Sequence, residues 1–172
     1  MEGVRIAAEL MELAARTAPK TGGKDFLAVT VVSGPDLARL AAAMVAYGGD
    51  SGKKNFDRDG ENVRNSEAVL LIGLKNPATG GLDCGACGHD RCTELEEGQH
   101  EGPEFRGPWC AWRLVDLGLA VGSAVKTASL LNVDNRVMYR VGVVARRIGL
   151  VEADVVLGIP LAATGKNIFF DR

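Results

Sequence analysis

The chain has 172 residues, 47% of them hydrophobic, so it is long enough to bury one core, and we expect a single domain over residues 1–172. Its 20 basic and 22 acidic residues give a formal net charge of -2, which excludes the basic surface of a nucleic-acid-binding protein. The longest apolar stretch, residues 114–125, is too short to span a bilayer, and the N-terminus does not resemble a signal peptide. We therefore expect a soluble, cytoplasmic protein with no membrane contact.

Helical and strand periods alternate along the first part of the chain. Apolar residues between positions 4 and 15 recur at helical spacing and predict an amphipathic helix that ends before Pro19. The β-branched run at residues 26–32 predicts a buried strand, and the turn after it leads into a helix over residues 36–46. Residues 47–66 are polar and rich in Gly, Asp, Asn and Lys, which predicts a long loop.

The same alternation continues in the second part of the chain. Residues 68–74 predict another buried strand. Helices are predicted over residues 111–131 and 135–148, and the first of them is the least polar of the chain and therefore the expected central helix. A strand over residues 154–159 and a short edge strand over residues 167–170 follow. Together the elements predict an α+β fold of α/β-type layers, with helices around a central β-sheet.

All four cysteines of the chain lie in one Gly-rich, polar segment, which we expect to be an insertion over residues 80–110. They are Cys84, Cys87, Cys92 and Cys110, in the arrangement C-x2-C-x4-C-x17-C. Two cysteines separated by two residues can direct both sulfurs to one centre where the backbone turns tightly, and the intervening glycines permit such a turn. The glycines also leave backbone N–H groups beside the sulfurs, where hydrogen bonds help to set the potential of an iron–sulfur cluster. We predict that the four thiolates bind one [4Fe-4S] cluster.

Other uses of four cysteines remain open. A structural zinc site would shape an interaction surface without redox activity, but such sites usually present two C-x2-4-C pairs, whereas Cys92 and Cys110 stand singly. Two disulfides would need an oxidising compartment. Four unconnected buried thiols would need a less polar segment around them. The cluster is the interpretation that these comparisons favour.

Histidines and tryptophans accompany the cysteines. His89 and His100 are expected to be exposed loop residues, because four cysteines already complete the coordination of a metal centre. Trp109 and Trp112 bracket Cys110. They either shield a metal centre from water or pack the cysteine segment onto the core, and the second account is the simpler one.

The cysteine segment, from Asp83 to Cys110, resembles the [4Fe-4S]-binding segments of several anaerobic redox proteins. Residues 115–120, 131–136 and 158–167 resemble a family of uncharacterised bacterial and archaeal proteins described as containing a ferredoxin domain. That resemblance implies a cluster but no particular reaction. We therefore expect electron transfer, either as a carrier or within an oxidoreductase whose substrate and redox partner the sequence does not name.

A fainter resemblance is to the flavin-dependent nitroreductases, on residues 18–20, 116–120 and 158–160. It implies a nitroreductase-like fold, suggests a homodimer and raises FMN as a second cofactor. The cations expected at the flavin phosphate are Arg16, Lys20 and Lys166. This chain departs from the family's Arg-rich phosphate-binding motif, since its first helix carries only Arg5 and Arg16. The alternative for each of the three cations is an ordinary solvated charge.

Overall fold

A computed structural model of the chain describes residues 1–170. The helices are α1 (Glu2–Thr17), α2 (Gly34–Ser51), α3 (Phe56–Arg64), α4 (Cys92–Glu97), α5 (Ala111–Leu130) and α6 (Tyr139–Arg147). The strands are β1 (Leu27–Val32), β2 (Ala68–Leu74), β3 (His100–Glu101), β4 (Arg106–Gly107), β5 (Asp134–Asn135) and β6 (Val155–Ala162).

The core is organised by a four-stranded sheet in the order β1-β2-β6-β5, with every neighbouring pair antiparallel. Strand β2 lies inside the sheet, and all seven of its residues are buried, because both faces of the sheet are covered. Its side chains alternate between the two faces, with Leu70 and Ile72 on one side and Val69 and Leu71 on the other. The alternation divides the hydrophobic core into two layers.

Helices cover both faces of the sheet. The apolar sides of α1 and α5 pack on the face of Leu70, and α2, α3 and α6 pack on the opposite face. Helix α1 does so through one stripe of small and apolar residues, which is the pattern expected of a surface helix. The resulting helix–sheet–helix arrangement confirms the predicted α+β class. None of the helices within residues 1–170 combines the length and the apolar character needed to cross a bilayer.

The prediction of a long loop over residues 47–66 is wrong. Helix α2 continues to Ser51, and α3 starts soon afterwards at Phe56. Phe56 and Val63 lie about two turns apart and are both buried, so they dock α3 on the core although its other side chains are mostly polar. The polar composition of the segment hid this narrow apolar stripe.

Two further boundaries differ near the C-terminus. The helix predicted over residues 135–148 begins only at Tyr139, because Asp134 and Asn135 pair with β6 as a short strand. The edge strand predicted over residues 167–170 does not form. That segment is held instead by side chains: Phe169 is buried, and its carbonyl oxygen accepts a hydrogen bond from Arg136 at 2.9 Å.

Candidate metal centre

The four cysteines line one cavity at the N-terminal end of α5. Cys84 and Cys87 lie in the loop that follows β2, Cys92 is the first residue of α4, and Cys110 directly precedes α5. Cys110 is buried, Cys87 and Cys92 are half-buried, and Cys84 is exposed. The fold thus brings all four predicted ligands to one place, with a protected inner side and an open outer side.

The chemistry of this donor set fits a metal centre that takes thiolate ligands. All four residues are free cysteines, so no disulfide competes for the sulfurs. Within residues 1–170, no group of three or more His, Cys, Asp or Glu side chains is arranged closely around a single ion position. The four cysteines nevertheless line one cavity together with Leu82, His89 and Trp112.

A tight turn directs the first two cysteines into the cavity. Gly85 and Gly88 have φ angles of 73° and 87°, in the left-handed region that strains residues with a side chain. The N–H of Gly88 donates to the carbonyl oxygen of Gly85 at 2.9 Å and closes the turn around Cys87. The two glycines are therefore needed for the backbone path that the C-x2-C spacing predicts.

Asp83 joins the first cysteines to the third. Its Oδ1 accepts a hydrogen bond from the backbone N–H of Cys92 at 2.7 Å. This bond lowers the pKa of the Asp83 carboxyl below its ordinary value, because it stabilises the charged form. Asp83 itself adopts a left-handed conformation with a φ of 44°, which Asp tolerates better than most residues. The carboxylate thereby positions Cys92 at the cavity.

Cys84 is surrounded by N–H donors. The backbone N–H of Ala86 lowers the pKa of the Cys84 thiol most, and the indole N–H of Trp112 lowers it further. The Trp112 Nε1 lies 3.3 Å from the Cys84 Sγ. N–H groups favour the thiolate, which is the form that binds metals. The environment therefore favours the thiolate form of Cys84.

A buried ion pair fixes the start of α5. The side chains of Arg113 and Asp116 are only 2% and 5% exposed, and the Nη1 atom of Arg113 lies 3.0 Å from the Oδ2 atom of Asp116. Arg113 also donates to the carbonyl oxygen of Ala78 at 2.8 Å, and Asp116 accepts the N–H and the hydroxyl of Thr21, both at 2.8 Å. The pair therefore ties the start of the cysteine loop and the turn after α1 to the helix beside Cys110. The sequence carries a signal for this pair, because Arg113 and Asp116 are opposite charges three residues apart in the least polar helix.

Glu104 tethers the β3–β4 hairpin, which lies between Cys92 and Cys110, to the rest of the fold. Its carboxylate accepts hydrogen bonds from Lys53 at 2.5 Å and from the Tyr139 hydroxyl at 3.1 Å. Partial burial raises the pKa of Glu104, but these hydrogen bonds outweigh it, so the pKa lies below its ordinary value. Sequence reasoning missed this tether because its partners are far apart along the chain.

The histidines and tryptophans occupy different environments. His100 is exposed, as predicted, but His89 is half-buried and lines the cavity, so the prediction of an exposed His89 is wrong. Trp109 is buried and donates its indole N–H to a backbone carbonyl oxygen at 2.6 Å, as a packing residue would. Trp112 is 41% exposed and lies at the cavity instead. Packing therefore explains Trp109 but not Trp112.

The cations predicted for a flavin phosphate lie in two segments that are far apart in the sequence. Arg16 donates to the carbonyl oxygen of Leu27, the first residue of β1, and Lys20 donates to carbonyl oxygens at the C-terminal end of α1. Lys166 is exposed in the segment after β6. Ala163, the first residue of that segment, donates its backbone N–H to the carboxylate of Glu67. The same carboxylate accepts a hydrogen bond from the N-terminal amino group, which lies at the start of α1.

The fold is that of the nitroreductases. The FMN-dependent nitroreductase NfnB from Mycobacterium smegmatis, solved with NADPH, superposes with a TM-score of 0.63 at 12% identity, covering 94% of this chain and 78% of that one. Nitroreductase CinD from Lactococcus lactis, solved with chloramphenicol, superposes with a TM-score of 0.62 at 12% identity, covering 97% of this chain and 84% of that one. Both matches confirm the predicted nitroreductase-like fold.

Sequence similarity identifies the family. An uncharacterised protein from Archaeoglobus fulgidus is 49% identical over 173 residues, which cover 99% of this chain and 92% of that protein. Residues 106–172, which include Cys110, match the family described as uncharacterised protein containing a ferredoxin domain. The chain belongs to this family of ferredoxin-domain proteins.

Proposed function

We propose that this protein binds one [4Fe-4S] cluster and transfers single electrons, either as a carrier or within a redox enzyme. The ligands would be Cys84, Cys87, Cys92 and Cys110. The proposal is carried by one observation, that all the cysteines of the chain line the same cavity. Four cysteine thiolates are the common ligand set of such clusters. The ferredoxin domain in the family's description and the nitroreductase fold both support a redox role.

The surrounding residues would hold the ligands in place. A bound cluster would supply one-electron chemistry at a potential set by hydrogen bonds and solvent exposure. Asp83 holds the backbone at Cys92, and the Arg113–Asp116 pair holds the helix that follows Cys110. The first residues of α5 line the cavity, where the partial positive charge of the helix N-terminus stabilises negatively charged thiolates.

The two sides of the site have different roles in this proposal. Cys110 is buried beside Trp109, so the inner side is shielded from water. Cys84 is exposed, so an electron would enter or leave on that side. The redox partner would therefore approach the surface formed by Cys84, Leu82 and Trp112, which are all exposed.

Spectroscopy of single variants tests the proposal. The wild type and four variants with Ser in place of one cysteine are purified without oxygen, and their visible spectra are recorded before and after dithionite. We expect broad visible absorption that bleaches on reduction in the wild type and is reduced or lost in each variant. Thr93→Ser, an exposed change next to Cys92, is the matched control and keeps the chromophore. A colourless wild type that holds zinc would overturn the proposal in favour of a structural zinc module.

A further inference from the structure

Trp112 directs its only polar group at a cysteine sulfur. Its indole Nε1 lies 3.3 Å from the Cys84 Sγ, although the residue is 41% exposed and water is available as an alternative partner. An indole can donate one hydrogen bond and accepts none through its nitrogen. We propose that Trp112 tunes the reduction potential of the cluster, raising it through this N–H···S hydrogen bond. This inference rests on the proposed function of the four cysteines.

The direction of the effect follows from charge. One-electron reduction adds a negative charge to a cluster and its thiolate ligands, with no bond formed or broken. An N–H donor interacts more strongly with the more negative state, so it stabilises the reduced form more than the oxidised form. A hydrogen bond to Cys84 therefore makes reduction easier.

The fold presents the indole from a rigid position. Trp112 is the second residue of α5, directly before Arg113, whose guanidinium is buried and bound to Asp116 and Ala78. This anchoring limits the rotation of the helix end that carries the indole. Because Trp109 donates to a backbone carbonyl oxygen instead, the two tryptophans beside Cys110 have separate roles.

Shielding from water is the competing role for the same side chain, and it predicts the opposite sign. Water stabilises the more negative, reduced state, so a ring that only excludes water would lower the potential. Loss of the ring cover would then raise the potential. A substitution that removes the N–H donor but keeps an aromatic ring should instead lower the reduction potential if the hydrogen bond has the proposed role. A measured potential thus distinguishes the two roles.

The test compares Trp112→Phe with Leu114→Val, a change at an exposed residue of α5 that does not line the cavity. Each cluster-loaded protein is titrated with dithionite through redox mediators, and the reduced fraction is followed by absorption and electron paramagnetic resonance. We expect a lower midpoint potential for W112F, so that at the wild-type midpoint the ratio of reduced to oxidised cluster falls about fivefold, the size expected for about 1 kcal/mol of hydrogen-bond energy. L114V keeps a potential close to that of the wild type.

Trp112→His supplies a second variant because imidazole retains a ring N–H. We expect the ratio of reduced to oxidised cluster in W112H to stay closer to that of the wild type than the fivefold fall expected for W112F, and this comparison with the wild type carries the test if W112F does not retain a cluster. A W112F potential equal to or above that of the wild type would overturn the inference, as would a loaded W112H protein with the full loss. A wild type without any cluster would instead refute the proposed function itself.

Discussion

Replacing Asp116 with alanine should destabilise the protein strongly. The carboxylate accepts two hydrogen bonds from Thr21 at 2.8 Å and one from Arg113 at 3.0 Å. Because the Arg113 side chain is only 2% exposed, Asp116→Ala would leave a buried guanidinium charge without its counter-ion. Breaking a buried pair in this way typically costs about 3–5 kcal/mol of the free energy of unfolding.

Asp36→Ala is the matched control for that change. Asp36 and Arg39 have the same i,i+3 spacing and are 3.1 Å apart, but their side chains are 61% and 54% exposed. Removing an exposed partner near a helix N-terminus costs about 1 kcal/mol or less. Equilibrium unfolding in urea, performed on both variants and the wild type, measures the difference. A loss for Asp116→Ala no larger than that for Asp36→Ala would refute the reasoning about the buried pair.

Further predictions concern two glycines and the hairpin tethers. A Cβ at Gly142 would lie 1.9 Å from a backbone carbonyl oxygen, so Gly142→Ala should lower the free energy of unfolding, measured in urea, by about 1–3 kcal/mol. A Cβ at Gly118 on α5 would meet open space, so Gly118→Ala should raise the free energy of unfolding by about 0.5–1 kcal/mol. Glu104→Gln should accelerate amide hydrogen exchange in the β3–β4 hairpin, because it removes the charge that the tether uses; unchanged exchange would argue against a tether. A hydrogen bond from Arg146 holds the pKa of Glu101 below its ordinary value of 4.5, so its stabilising effect is present above pH 4.5 and lost as the pH falls through the lower folded value. The stability difference between wild type and Glu101→Gln should therefore shrink below pH 4.5, and a difference that grows there would contradict this.

The parts of the fold that could be predicted have strong local patterns. Strand β2 is one continuous apolar run, and α1 buries a stripe of residues at helical spacing, so each element is recognisable without its neighbours. Helix α3 was missed because Phe56 and Val63 are its main apolar anchors, and two such residues do not define a period. Strand β5 was missed because its two residues are extended only through pairing with β6.

The site shows the same division between local and distant information. The grouping of the cysteines in the cavity could be predicted, because four cysteines in one polar segment are typical of a common binding site and the glycines between them permit a tight turn. The bond from Trp112 to Cys84 could not, since it depends on the phase of α5 relative to a loop 28 positions earlier. The same holds for the contact of Glu104 with Lys53, which are separated by 51 positions.

Metal and sulfide analysis of the anaerobically purified protein tests the central claim most directly. Iron, acid-labile sulfide and zinc are measured per chain in the same sample. The account predicts about four iron atoms and about four sulfides per chain, without stoichiometric zinc. About one zinc per chain with neither iron nor sulfide would contradict it.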